Sequence, residues 1–140
     1  MKRTLMALAC AFLLAAGFAA LSNAGVTLPD TDADGVPDEW DNCSTSANAS
    51  QLDSDLDGIG NQCDCDFDQN NFCDGSDFLT FGANYLLAVP PANPNTDMDG
   101  NLFVDGSDFL TFGSLYLGPP GPSGLACADA TGATAPCTGI

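Results

Sequence analysis

Hydrophobic residues follow two distinct patterns along the chain. Over residues 5–21 they form an almost continuous run, preceded by Lys2 and Arg3 and followed by Ser22, Asn23 and Ala24. A basic start, an apolar stretch and small residues at the −3 and −1 positions predict a secretory signal segment over residues 1–24, cleaved after Ala24. At about 17 residues the run is marginal for spanning a bilayer, and no basic stop-transfer residues follow it. The stretch before Cys10 is too short for a lipoprotein site. The second pattern is helical. Phe78, Phe81 and Tyr85 stand at i, i+3 and i+7, and Phe109, Phe112 and Tyr116 repeat that spacing, so each trio lines one helix face. Ser76 or Asp77 is expected to cap the first helix, and Ser107 or Asp108 the second. Gly82 and Gly113 each cost about 1 kcal/mol of helix stability and are expected to admit close approach of the two helices.

The helical stretches belong to an internal duplication. The nine residues 74–82 recur identically at 105–113, a shift of 31 residues, and Tyr85-Leu86 recurs as Tyr116-Leu117. The Pro-rich stretch 88–94 separates the copies. Residues 118–124 contain two Gly-x-y triplets, too few for collagen, and are read as a linker.

Acidic residues keep a register of their own. Asp30, Asp32, Asp34, Asp38 and Asp41 fall at positions 1, 3, 5, 9 and 12 of a twelve-residue loop with Gly35 at position 6. That is the spacing of a calcium loop. Asp53, Asp55, Asp57, Asn61 and Asp64 repeat it, with Gly58 at position 6. Asp66, Asp68, Asn70, Asp74 and Asp77 form a third loop, and Asp97, Asp99, Asn101, Asp105 and Asp108 a fourth. Calcium takes six to eight oxygens at about 2.3–2.6 Å, and a loop wrapped around it turns alternate side chains inward. Position 7 supplies a backbone carbonyl, here from Val36, Ile59, Phe72 and Phe103. Position 6 needs a positive φ, natural for glycine. Asn71 tolerates it and Leu102 does so poorly, so the fourth loop is expected to be the weakest match. Position 12 is Asp in every loop, one methylene shorter than the usual Glu, which tightens the loop.

Composition sharpens this picture. The 140-residue chain has 19 acidic residues, two basic residues and no histidine. Seventeen of the 19 acids occupy loop positions; only Glu39 and Asp129 do not. Removal of the signal segment leaves no Lys, Arg or His at all. Phosphates could not be neutralised, so nucleic-acid binding is excluded. Histidine catalysis and His-ligated metal sites are excluded too, and anionic membrane surfaces would repel the mature chain. Carboxylate-pair catalysis requires two free acids in a cleft, whereas almost every acid is already committed. The chain is therefore expected not to be an enzyme.

Seven cysteines include Cys10 in the signal segment, leaving Cys43, Cys63, Cys65, Cys73, Cys127 and Cys137. An even number in an exported chain reads as disulfides. Zinc is disfavoured because histidine and paired C-x-x-C knuckles are both missing. Six cysteines permit fifteen pairings, among which sequence does not choose. Proximity suggests Cys43–Cys63, Cys65–Cys73 and Cys127–Cys137.

Two family resemblances follow from these motifs. Residues 30–43, ending Asp41-Asn42-Cys43, are followed by Asn48, Gln51 and the second loop, ending Cys63-Asp64. Residues 29–64 thus resemble thrombospondin type 3 repeats. The resemblance implies calcium wrapped by chain with little regular secondary structure, and Cys43 paired with Cys63. Residues 65–117, two loop–helix units without a full entering helix, are similar to a dockerin domain. Ordinary paired EF-hands are a poorer match, because residues 60–65 and 90–94 cannot form entering helices. The dockerin resemblance implies two calcium-loaded units that pack together and bind a cohesin domain. Contacts would come from loop positions 10 and 11, here Gly75, Ser76, Gly106 and Ser107, and from the helix beyond, at Ala83, Asn84, Ser114 and Leu115.

The expected fold is small and stabilised by calcium and disulfides, with irregular thrombospondin type 3 loops followed by an all-α dockerin-like pair of loop–helix units. The expected divisions are 1–24 signal segment, 25–64 type 3 repeats, 65–117 dockerin-like pair, and 118–140 linker and Cys-closed tail. The expected function is that of a secreted, non-catalytic module holding about four Ca2+ ions. Its main form would be an adaptor for a cohesin-like protein in an extracellular polysaccharide-degrading or cell-surface assembly. The alternative is a calcium-rigidified structural or adhesion protein of the cell surface or matrix.

Overall fold

The computed structural model describes residues 28–132 and Cys137. The expected signal segment and its expected cleavage point lie outside the described residues. Two ten-residue helices, α1 (Gly75–Asn84) and α2 (Gly106–Leu115), are accompanied by short 3-10 turns at Asp38–Trp40 and Pro94–Thr96. Among the described residues, no helix is long and apolar enough to cross a membrane.

Each helix starts earlier than the serine or following aspartate suggests. The cap of α1 is Asp74, whose carboxylate accepts from the Ser76 amide while Asp77 returns a bond to the Asp74 amide. Asp105 and Asp108 do the same for α2. These are reciprocal capping boxes in which Asp takes both roles. Asp74 and Asp105 are extended, with φ −131° and −132°, so their side chains reach the first free amides. Ser76, Asp77, Ser107 and Asp108 lie inside the first turn rather than ahead of it.

The helices meet through aromatic rings. Phe81 and Phe112 stack at 5.1 Å between centroids and are almost fully buried. Around them pack Cys65, Cys73, Ala92, Met98 and Val104, with Phe67 stacked on Phe112 at 5.9 Å. Only the middle residue of each trio is buried: Phe78 and Phe109 keep 47% and 46% of their surface exposed. The expected close approach at Gly82 and Gly113 is not found. A Cβ built on either glycine would meet nothing within 4 Å. Both glycines instead border shallow apolar hollows. Phe78, Phe81, Gly82, Tyr85 and Phe109 line one of about 190 Å³, and Phe78, Phe109, Phe112, Gly113 and Tyr116 line its counterpart of about 240 Å³.

The duplicated units are interlocked by backbone exchange. Cys73 donates to the Gly118 carbonyl and accepts from the Leu117 amide, both at 2.9 Å. Val104 donates to Leu87 at 2.9 Å and accepts from Leu86 at 2.8 Å. The 31-residue shift converts one pair of bonds into the other. Position 8 of each loop is therefore satisfied by the segment following the other unit's helix, and neither unit completes its own hydrogen bonding. The Pro-rich stretch 88–94 does more than separate the copies. Val89 donates to Leu102, Asn93 donates to the Asn84 side chain, and Ala92 is buried.

The loop-rich first half has a smaller core of Cys43, Ile59 and Cys63, with Ala128 and Ala130 packed against it. The disulfides are Cys43–Cys63, Cys65–Cys73 and Cys127–Cys137, the pairing that proximity suggests. Residues 118–124 are not a free linker. Gly121 donates to Cys63, Ser44 to Pro122 and Gly124 to Asp41, which lays the chain back across the first half. The halves also touch directly. Asn61 donates to the carbonyls of Pro94 and Asp97, and Asn95 donates to Asp55 at 2.6 Å.

Candidate metal centres

All four acidic loops adopt one backbone form. Positions 4 and 6 have positive φ in each: Ala33 64° and Gly35 97°, Leu56 64° and Gly58 91°, Gln69 56° and Asn71 72°, Gly100 73° and Leu102 72°. The position-6 amide then donates to the position-1 carboxylate every time. The bonds are Gly35 to Asp30 (3.1 Å), Gly58 to Asp53 (2.9 Å), Asn71 to Asp66 (2.5 Å) and Leu102 to Asp97 (2.9 Å). Leu102, expected to be the weak point, matches Asn71 in φ. Its side chain is 65% exposed and clashes with nothing buried, and its amide bond to Asp97 helps offset a left-handed cost of roughly 1–2 kcal/mol.

This turn gathers carboxylates into four groups, each with oxygens within 4.8 Å of one another. In the first two loops the group is Asp30, Asp32 and Asp34, then Asp53, Asp55 and Asp57. In the last two it is Asp66, Asp68 and Asp77, then Asp97, Asp99 and Asp108. The position-12 acid thus belongs to the group only where a helix follows, because the capping box holds Asp77 and Asp108 beside the loop. Asp41 and Asp64, at position 12 of the first two loops, are buried outside these tight groups.

The remaining predicted ligands are placed as follows. The position-9 side chains brace the loops: Asp38 accepts from the Thr31 amide and hydroxyl, and Asn61 spans Ser54 and the start of the fourth loop. Asp74 and Asp105 cap the helices. Asn101 accepts from the Phe103 amide and donates to Asp99. Asn70 donates its amide to Asp66. Val36 and Ile59 donate their amides to Asp34 and Asp57. Phe72 and Phe103, also at position 7, keep 43% and 40% of their surface exposed.

Several residues serve the loops without being ligand candidates. Asn48 donates its amide to Asp34 (2.8 Å) and its side chain to Asn42, while Gln51 donates to Asp41 (2.8 Å). In the sequence these two residues stood only as marks of resemblance. The serines named for partner contact are exposed, but their hydroxyls turn back to the loop carboxylates. Ser76 Oγ donates to Asp68 and Asp74, and Ser107 Oγ to Asp99 and Asp105, all at 2.6–2.8 Å. Their neighbours Gly75 and Gly106 are exposed. Recurrence of Ser two residues after each position-9 Asp was the available signal.

The electrostatics of the loops favour a cation. Asp32 Oδ2 and Asp41 Oδ2 are the buried side-chain oxygens without a hydrogen-bond partner among the described residues. An unmatched buried acceptor costs roughly 1–3 kcal/mol, and more when charged. A hard cation beside each carboxylate would satisfy its oxygen, and the all-oxygen donor set suits calcium. Burial, followed by acidic neighbours, pushes Asp57 up to about 7 and Asp64 up to about 8. Burial also raises Asp32, Asp53, Asp66, Asp77 and Asp108. Asp74 and Asp105 are lowered by the serine hydroxyl and amide donating to them.

Comparison with known proteins bears on about a third of the chain. The chain is similar to thrombospondin-3 of Mus musculus, 45% identical over 58 residues, covering 33% of this chain and 6% of the relative. It is similar to thrombospondin-3b of Danio rerio, 43% identical over 54 residues, covering 30% of this chain and 6% of the relative. These matches support a thrombospondin type 3 repeat region. The chain spans only a small fraction of the length of those relatives. No family model matches it, and no solved structure does.

The pKa shifts carry a pH dependence. Acids raised from 3.8 to about 7 and 8 favour the folded, metal-free state while protonated. That stability is full below about pH 4 and is lost as pH rises through the folded values. In calcium-free buffer, far-ultraviolet circular dichroism should therefore show more helix at pH 5 than at pH 8.5. With saturating calcium the difference should disappear. Equal or weaker helix at pH 5 without calcium would contradict the assignment of buried, proton-holding carboxylates.

Proposed function

We propose that the protein is a secreted calcium-binding structural or adhesion module of the extracellular matrix or cell surface, made rigid by the ions it holds. The observation that carries this reading is the common register of four loops, each bonding its position-6 amide to its position-1 carboxylate. The unmatched buried oxygens of Asp32 and Asp41 support it. So do three disulfides and the similarity to thrombospondin-3. The module is not catalytic. The calcium ligands would be the four gathered Asp groups, completed by Asp41, Asp64, Asn70, Asn101 and the position-7 carbonyls of Val36, Ile59, Phe72 and Phe103. Like charges gathered this closely repel without cations, so binding energy becomes folding energy. At pH 7.5 with calcium, small-angle scattering should give a radius of gyration of about 13 Å for the residues after the signal segment. Excess chelator should expand it by half or more. A chelator-insensitive radius would contradict the proposal.

A second reading keeps the dockerin-like adaptor role, with a cohesin-like protein as partner. Two observations favour it: the interlocked duplicated units and their exposed helix faces. Leu79 and Leu110, at equivalent positions of the two helices, are 73% and 75% exposed. Ser76 and Ser107 are poor probes of this surface, because changing them would disturb the loops. Calcium-dependent capture by a panel of cohesin domains is expected under this reading. Leu79→Asp alone should weaken it little, since the equivalent Leu110 face remains, while Leu79→Asp with Leu110→Asp should abolish it. No capture by any cohesin would remove the second reading and leave the first intact.

A further inference from the structure

The tail beyond α2 reaches both of the first two calcium loops but holds the turn of only the second. In the first loop Gly124 donates to the position-12 carbonyl of Asp41 and lies against the backbone of Asp38, beyond the turn. Three consecutive carbonyls of the second loop, at positions 4, 5 and 6, each accept a bond from the tail. The Cys137 amide donates to Leu56 at 2.6 Å, the Asp129 amide to Asp57 at 2.9 Å, and the Ser123 hydroxyl to Gly58 at 2.6 Å. Contact is close enough to require glycine at position 6. A Cβ on Gly58 would stand 2.6 Å from Cys137 Sγ and 2.8 Å from Ala128 Cα, whereas at Gly35 in the first loop it would meet nothing within 4 Å. Ala128 and Ala130 also pack on the small core that includes Ile59, at position 7. The disulfide Cys127–Cys137 closes the segment carrying two of the three donors.

These bonds grip the backbone between the ligand positions 3 and 7. Such a grip holds the loop in its turned form before an ion arrives, so less conformational freedom is lost on binding. Backing groups of this kind commonly change metal affinity by 10–100-fold when removed. We propose that the tail is a clasp that pre-organises the turn of the second calcium loop and raises its affinity above that of the first loop, whose turn the tail does not hold. Its positioning residues are Ser123 and the Cys127–Cys137 pair. The proposal rests on the calcium reading above, and adds to it a specific division of labour between two loops of similar sequence.

Isothermal titration of the signal-cleaved chain with calcium tests this. Cys127→Ser with Cys137→Ser should weaken one ion by roughly tenfold and leave the affinities of the others unchanged. Ser123→Ala should weaken the same ion by a smaller factor, and it leaves every disulfide in place. The site is identified with Asp53→Asn plus Asp55→Asn, which should remove one ion from the stoichiometry. In that background neither tail variant should have any further effect. Tail variants that bind calcium like the parent would overturn the clasp. A loss that persists after the second loop is disabled would also overturn it, because the tail would then act on folding generally. If Asp53→Asn with Asp55→Asn left the isotherm unchanged, the calcium reading of that loop would itself fail, a result distinguishable from failure of the clasp alone.

Discussion

Repulsion among carboxylates with no internal cation to answer it is the constraint on which this structure turns. Seventeen acids lie in loop positions, and the chain beyond Arg3 has no Lys, Arg or His. At an effective dielectric of 20, two unit charges 4 Å apart repel by about 4 kcal/mol, and each group brings three carboxylates with oxygens within 4.8 Å of one another. Hydrogen-bond donors relieve part of this. The position-6 amides, the Ser76 and Ser107 hydroxyls and the Asn48–Gln51 network all donate to loop carboxylates. They orient the charges without neutralising them. Protons or external cations must supply the rest.

The rest of the architecture holds loops that gain little from a core of their own. In the second half, the capping boxes bring Asp77 and Asp108 to the loops, and the exchanged bonds of Cys73 and Val104 make each loop depend on the other unit. Phe81 and Phe112 anchor that exchange. In the first half, whose described residues include no α-helix, a disulfide, an amide network and the returning tail take the place of the helix. This difference accounts for the position-12 acid joining the group in two loops and standing apart in the other two.

The runs of Asp that the loops gather were legible in the sequence as a period-two pattern, but the end point was not: Asp77 and Asp108 join their groups while Asp41 and Asp64 stand apart. The helices and the three disulfides were legible as well, since ring spacing and cysteine proximity are local. Long-range facts were hidden. Nothing local distinguishes Asp74 as a cap from Asp74 as a ligand, and the cap was therefore expected two or three residues late. Gly82 and Gly113 suggested close helix contact, yet the large rings of Phe81 and Phe112 keep the backbones apart. Residues 118–124 looked like a linker because their backbone donors and acceptors find partners some 60 to 80 residues away. Leu102 was misjudged because propensity ignores the bond its amide makes to Asp97.

The central claim is that each of the four loops holds its own calcium ion. Native mass spectrometry of the oxidised chain from Gly25 onward at neutral pH, with calcium in slight excess, counts those ions directly. Four gathered Asp groups predict a dominant species carrying four calcium ions. A dominant species with two or fewer would contradict the account, since half the loops would then keep their shared backbone form for some purpose other than binding metal.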